Sequence, residues 1–444
     1  MSAHELTGER RLEHAHGHAH APVSATVRRG PARRRWHPGQ RLARWIVLRL
    51  LRGLHDGRLE LAEDFDGGEL LAFGAPAGGP GPQALVVVRS PRFYRQLLRG
   101  SIGLCESYMQ GLWDCEQLVE MTRLAALNVG TLDTLRRRLA PVLIPVQRWL
   151  RFLARNTPGR ARKRIAAHYD LGNELFALFL DPTMMYSCAV FDEPGATLEQ
   201  ASLAKLARVC AKLDLGPEDH VLEIGTGWGG FAVYAAQNHG CRVTTTTISR
   251  EQHAYAVQRV RDAGLQDRVT VLLEDYRELS GTYDKLVSIE MIEAVGWQYF
   301  QTFFRRCSQL LADDGTMLLQ AITIDDRAYE VEKGGRSFIN TYIFPGGCLP
   351  SMEIISRSVA RATDLRQVHL EDITAHYATT LERWRERFLA AGAHVAELGY
   401  DERFRRLWEL YLSYCEGGFR ERRIQNIQLI LAKPASRTEP FAAR

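Results

Sequence analysis

The chain has 444 residues, 45% hydrophobic and 25% charged, which excludes a peptide-sized scaffold and a disordered, collagenous or membrane-spanning composition and leaves room for two or three domains. The formal charge of +5 hides a polarity: residues 1–60 hold twelve arginines against five acids, and residues 131–165 hold ten Arg or Lys against Asp133 alone. The remainder is net acidic, so one surface suits an anionic partner, either nucleic acid or a membrane leaflet. Eight cysteines form no CxxC pair; neither a disulfide framework nor a zinc site is indicated, and a reducing cytoplasm is expected. No apolar run reaches the ~18 to 20 residues that span a bilayer, and the amino terminus lacks a signal peptide's apolar core. Any membrane contact is therefore expected to be peripheral.

Residues 1–39 read as a disordered arm, with His14, His16, His18 and His20 followed by Arg28, Arg29, Arg33, Arg34 and Arg35 and little apolar material for a core. The alternating histidines are read as part of the arm, not as a metal site. Residues 40–130 read as a small α+β domain. Strands at 58–65 and 69–73 flank the turn Asp66-Gly67-Gly68 as a hairpin, and a third follows at 84–88. Ser90-Pro91 starts a helix through Leu98 that Gly100 ends. Residues 131–160 read as a basic amphipathic linker, where Pro141 and Pro145 leave room only for a short helix over 145–155. That helix either lies on an anionic bilayer or packs on its own domain.

Residues 161–433 read as a larger α/β domain, followed by a tail over 434–444. Thr197 and Gln200 form a capping box for a helix whose apolar positions Leu203, Leu206, Val209, Cys210 and Leu213 keep helical spacing and stop before Gly216. Strand-like segments recur at 221–224, 242–248, 269–274, 285–289 and 316–324, separated by helical stretches. The alternation predicts a doubly wound, Rossmann-like parallel sheet with ligands at the carboxyl ends of its strands.

Directly after the first of these strands stands Glu223-Ile-Gly225-Thr-Gly227-Trp-Gly229-Gly230, a turn whose glycines let the backbone approach a nucleotide. The spacing is GxGxG, not the GxGxxG of dinucleotide binders, and Thr247 stands where such a site would want an acid. Asp275-Tyr276, after the third strand, offers a carboxylate and an aromatic face. Together these resemble an S-adenosylmethionine site, a packing turn being the alternative.

His168-Tyr-Asp-Leu-Gly-Asn173, Met185-Tyr-Ser-Cys-Ala-Val-Phe191, Glu290-Met-Ile-Glu293-Ala-Val-Gly296, Tyr342 to Pro350 and Tyr411-Leu-Ser-Tyr-Cys415 resemble, in order, the motifs of cyclopropane-fatty-acyl-phospholipid synthases and mycolic acid methyltransferases. Ser90-Pro-Arg-Phe-Tyr94 and Glu106 to Asp114 extend the likeness into the front domain, so that it covers residues 45 to 433. The resemblance implies a class I methyltransferase fold with an acyl-chain-binding insertion around 325–400. It implies methyl transfer from S-adenosylmethionine to a cis double bond of a phospholipid acyl chain, followed by proton loss to a base. Tyr186, Ser187, Glu223, Gly225, Gly227, Gly229, Thr247, Ser249, Gln252, Asp275 and Tyr276 are the expected cofactor contacts. The implied base is a bicarbonate held by the Cys188 and Ile322 backbones, Glu293 and Tyr377. Two positions depart from the commoner pattern: Gln320 replaces a histidine, and Glu290 replaces a glycine. Glu290 either repels the anion or replaces it as base. Cys415 is either a site residue or a packing residue, and Glu290 with Glu293 form either a catalytic or a structural pair.

A cyclopropane product is expected, with a methylene branch, finished by a reductase partner, as the alternative. The resemblance further implies a homodimer and a peripheral place on the inner membrane leaflet. Methylation of a small soluble molecule, nucleic-acid binding and non-catalytic lipid binding are the competing readings. The arginines lack the interleaved aromatics of a strand-binding surface, so no nucleic-acid partner is expected.

Overall fold

The computed structural model describes residues 36–65, 68–130 and 171–437. The expected linker helix over 145–155, the arm up to residue 35 and the motif start at His168 lie outside the described residues.

In the front part, period-two alternation builds a four-stranded sheet from β1 (Arg58–Glu63), β2 (Leu70–Gly74), β3 (Gln83–Val88) and β4 (Trp113–Asp114), in the order β2-β1-β3-β4. The β1 and β2 strands pair antiparallel as the expected hairpin, whereas β1 and β3 run parallel. Leu59, Leu61, Ala84, Val86 and Val88 point inward, and so does Glu63, because it falls on the same alternation. Its carboxylate is satisfied by Arg44 Nε at 2.7 Å and by the Tyr94 hydroxyl, which ties the helix Pro38–Leu51 to the sheet. Trp36, expected in the arm, packs on Tyr94 and Phe65. The helix expected from Ser90 through Leu98 is Arg92–Leu97, and Gly100 begins the next helix, Ser101–Met109. At φ 69° Gly100 turns the chain between two helices, which only glycine does without strain.

The second sheet contains β5 (His220–Ile224), β6 (Arg242–Thr246), β7 (Val269–Leu272), β8 (Tyr283–Ile289), β9 (Leu311–Ile324), β10 (Arg366–Asp372) and β11 (Ile424–Ala432). Its order is β10-β11-β9-β8-β5-β6-β7. The strands β5 to β9 pair parallel, as the alternation predicts. The sheet departs from expectation at one edge, where β11 and β10 pair antiparallel. Helices precede both strands, Met352–Ala362 before β10 and Glu402–Arg420 before β11, so the sequence alternation does not distinguish an antiparallel return from a parallel one, and β10 falls within residues 325–400, the span expected as an insertion. The fold is class I methyltransferase-like, α/β, with a smaller α+β part in front.

The capping box at Thr197 forms, and the helix Leu198–Leu213 buries Leu206, Val209, Cys210 and Leu213. Leu203 is the exception, 38% exposed. The helix Glu402–Arg420 joins the two parts: Arg406 donates to the Trp113 carbonyl and Asp114 at 2.7 Å, and Thr122 Oγ1 donates to the Ser413 carbonyl at 2.8 Å.

Candidate active site

The carboxyl ends of β5, β6 and β7 lie side by side, so the loops that leave them share one edge. After β5, Gly225, Gly227 and Gly229 all have positive φ (106°, 51° and 81°), and Gly229 caps the helix Gly230–His239. A Cβ at Gly225 would meet Met291 Cγ at 3.1 Å, whereas one at Gly227 would project into open space. Glu223 is buried and accepts from Thr245 Oγ1 at 2.6 Å; burial pushes its carboxyl up to about 8. After β6, Thr247 Oγ1 donates to Gln252 Oε1 at 2.9 Å and accepts from Ser249 N at 3.1 Å. Ser249 in turn caps the helix Arg250–Asp262. After β7, both oxygens of buried Asp275 are engaged by Arg277, at 2.8 and 2.6 Å. Tyr276 packs edge-on against Phe303, and its buried hydroxyl has no hydrogen-bond partner among the described residues. Backbone open at Gly227 and an orphaned hydroxyl at Tyr276 fit a nucleoside-bearing ligand on this edge.

Met291, against the glycine turn, adjoins the second centre. Glu290 leaves β8 at φ 49°, and its carboxylate gathers four donors. Cys188 N at 2.9 Å, Gln320 Nε2 at 2.9 Å and Asn426 Nδ2 at 2.6 Å reach Oε1, and the Tyr377 hydroxyl reaches Oε2 at 2.6 Å. Of the groups expected around bicarbonate, the Cys188 backbone and Tyr377 reach a side chain of the protein itself, joined there by Gln320 and Asn426, while the Ile322 backbone and Glu293 pair with each other. Glu293 stands apart: Oε1 accepts from Ile322 N at 2.5 Å, and Oε2 is buried without a partner among the described residues. Burial raises both carboxyls; the donors pull Glu290 back, while the charge of Glu290 helps push Glu293 up to about 8. Four donors on Glu290 favour its charged form, whereas burial beside that charge favours the protonated form of Glu293. Gln320 is aimed by a relay: Gln428 Nε2 donates to its Oε1 at 2.9 Å, and Lys212 Nζ donates to Gln428 Oε1 at 2.7 Å.

Aromatic rings continue from Tyr377. It stacks on Phe419 at 4.4 Å and meets Trp384, which packs on Tyr186; Tyr186 shares a 2.7 Å hydroxyl hydrogen bond with Tyr411. Next to Tyr186, Ser187 Oγ accepts from Lys205 Nζ at 3.1 Å. Lys205 is fully buried, which pushes its ammonium down to about 8. Cys415 lies one turn beyond Tyr411; burial raises its thiol to about 12, so it is held as a thiol and not as a thiolate.

Sequence reasoning missed Lys205, Asn426 and Gln428. A signal existed for Lys205, a lysine set between Ser202 and Leu206 on the inward stripe of its helix. Asn426 and Gln428 are visible as polar interruptions only once β11 is recognised as a strand. No group of His, Cys, Asp and Glu among the described residues is arranged to hold a metal ion.

Comparison with known proteins adds four likenesses. The family model described as mycolic acid cyclopropane synthetase matches residues 156–429. The chain is 41% identical over 358 residues to a tuberculostearic acid methyltransferase of Mycobacterium tuberculosis, covering 78% of this chain and 83% of that protein. It is 39% identical over 367 residues to the cyclopropane-fatty-acyl-phospholipid synthase of Escherichia coli, covering 82% and 92%. Among solved structures, the mycolic acid cyclopropane synthase CmaA1 in complex with SAH and CTAB superposes with a TM-score of 0.57 at 31% identity, over 61% of this chain and 98% of that one.

Proposed function

The chain belongs to the mycolic acid cyclopropane synthetase family of S-adenosylmethionine-dependent methyltransferases, and on that premise we propose that it adds a methylene carbon across the cis double bond of an unsaturated phospholipid acyl chain, leaving a cyclopropane ring. The observation that carries this reading is the Glu290 carboxylate, held by four donors beside the glycine turn and next to an aromatic wall.

S-Adenosylmethionine, when bound, supplies an electrophilic methyl group. Gly225, Gly227 and Gly229, with Glu223, Thr247, Ser249, Gln252, Asp275 and Tyr276, form its cradle, and Tyr186 and Ser187 border it. An alkene is a weak nucleophile, so the protein's work is alignment and exclusion of water. As the new carbon–carbon bond forms and the sulfur–methyl bond breaks, its electron pair leaving with a neutral thioether, the neighbouring alkene carbon becomes electron-poor. The rings of Tyr186, Trp384 and Tyr411 offer it π-electron density that does not attack. Glu290 then accepts a proton from the carbon just added, and the electrons of that C–H bond close the ring. Glu290 thereby does what the family resemblance gives to bicarbonate, with Cys188 N, Gln320, Asn426 and Tyr377 holding it in place and Glu293 keeping its own proton beside it.

The similarity to a tuberculostearic acid methyltransferase favours one other outcome. Loss of a different proton leaves a methylene branch, which a reductase partner would convert to a methyl branch. Incubation with oleoyl phospholipid and S-adenosylmethionine tests both. A mass gain of one CH2 with upfield cyclopropane proton resonances is expected, exocyclic alkene resonances would establish the branch, and an unchanged lipid would overturn the proposal.

A further inference from the structure

Away from the catalytic sheet, the inner and outer sides of the helix Pro38–Leu51 differ in kind. The inner side is accounted for: Ala43 and Val47 are buried, and Arg44 reaches Glu63 and Glu69. At 100° per residue the outer side lines up Leu42, Ile46 and Leu50 at i, i+4 and i+8, with Trp45 and Arg49 beside them. Leu42, Trp45 and Leu50 are 59%, 59% and 57% exposed. Arg41 and Arg52, also exposed, run along the flank, and the helix carries no acid. On that flank opens a cleft of about 540 Å³ bounded by Arg41, Arg44, Arg52, Trp36 and Trp45, whose two acids, Glu63 and Glu69, are already paired with Arg44. The chain enters the helix through Arg28, Arg29, Arg33, Arg34 and Arg35.

An apolar stripe bordered by arginines and an indole matches the composition of a helix that lies in a membrane interface. A protein partner of ordinary composition would complement the leucines but leave the arginines without counter-charges. An anionic leaflet complements both, its acyl boundary the stripe and its phosphates the guanidinium groups.

We propose that the outer face of the helix Pro38–Leu51 docks the protein on an anionic phospholipid bilayer, with Leu42, Trp45, Ile46 and Leu50 entering the headgroup boundary and Arg41, Arg49 and Arg52 at the phosphates. This deepens the functional reading, which places the substrate in a membrane, but its test does not depend on turnover. The full chain is sedimented with vesicles of mixed phosphatidylglycerol and phosphatidylcholine, and with phosphatidylcholine alone. Binding is expected on the anionic vesicles, weakening with salt.

The exposed-face variant Leu42→Glu/Leu50→Glu should partition at least about tenfold less, and Arg41→Glu/Arg52→Glu should lose the preference for phosphatidylglycerol. Circular dichroism and cofactor affinity check folding, and the milder Trp45→Ala provides a second variant. Turnover of a short-chain unsaturated phospholipid presented as monomers should stay at the wild-type level. Leu42→Glu/Leu50→Glu partitioning like wild type overturns the proposal. So does a variant whose only defect, by light scattering, is dissociation of a dimer, because the face would then belong to a second copy of the chain. A wild-type protein that binds the vesicles yet modifies no lipid would sink the catalytic reading and leave the docking surface supported.

Discussion

At Glu290 the backbone and the side chain make opposite demands. A φ of 49° suits glycine, the residue of the commoner pattern, and costs any other residue about 1 kcal/mol or more. Four hydrogen bonds to the carboxylate offset that cost, each to a charged group being worth about 1.5–3 kcal/mol. A strained, enclosed carboxylate beside a glycine turn is the kind of local conflict expected where a residue is retained for chemistry. Glu290→Gln keeps the shape but loses the basicity. It should cut kcat by about 100-fold or more while leaving S-adenosylmethionine affinity unchanged by calorimetry, and the wild-type enzyme should keep its rate when bicarbonate is stripped from the buffer. A strict bicarbonate requirement would return the role of base to the anion.

Among the elements, the helix Glu402–Arg420 is constrained twice, because its two sides face different parts of the molecule. Tyr411 points to the aromatic wall, whereas Gly417 lets the helix approach the front part so closely that a Cβ would fall 2.3 Å from Thr122 Oγ1 and 2.9 Å from Arg123 N. Overpacking of this sort costs about 1–3 kcal/mol. Gly417→Ala should therefore lower the urea midpoint, and adding Thr122→Ala should restore part of the loss, the signature of a direct contact. If the double variant is merely the sum of the singles, the contact is not the cause. The helix Leu198–Leu213 shows how the same periodicity carries function. Its inward stripe holds Lys205 as well as Leu206 and Val209, so one face both packs on the sheet and delivers an ammonium to Ser187.

For the whole molecule, three buried groups make stability depend on pH in a particular order. Glu223 and Glu293 are raised from 4.5 to about 8 in the folded state. Between those values the folded protein holds protons that the unfolded chain has released, so their contribution to stability falls as pH rises. Lys205 is lowered from 10.5 to about 8. Above pH 8 the unfolded chain holds the extra proton, and the contribution of Lys205 rises toward 10.5. Relative to Lys205→Met, the wild type should gain stability in urea titrations from pH 8 toward 10.5, against the fall that raised thiols such as Cys105, Cys210 and Cys415 impose on both proteins. An equal pH dependence in the two proteins would show that Lys205 makes no such contribution.

Much of this architecture is written locally. The capping box at Thr197, the short runs of Val221 to Ile224 and of Arg242 to Thr246, buried almost throughout, and the glycines after β5 depend on neighbours a few residues away. The fold class is therefore determined by sequence alone, and so is the strand edge proposed to hold the cofactor. The antiparallel edge strands were not legible, because Arg366–Asp372 and Ile424–Ala432 are recognised as strands chiefly by pairing with each other and with β9. The identity of Glu290 and the likeness of its surroundings to an anion site could be read from residues, but whether it repels the anion or fills its place could not. What tertiary structure alone decided is the set of donors around it: Cys188, Gln320, Tyr377 and Asn426 lie up to 136 residues from Glu290 in the chain, and only the folded sheet brings their donors to a single carboxylate.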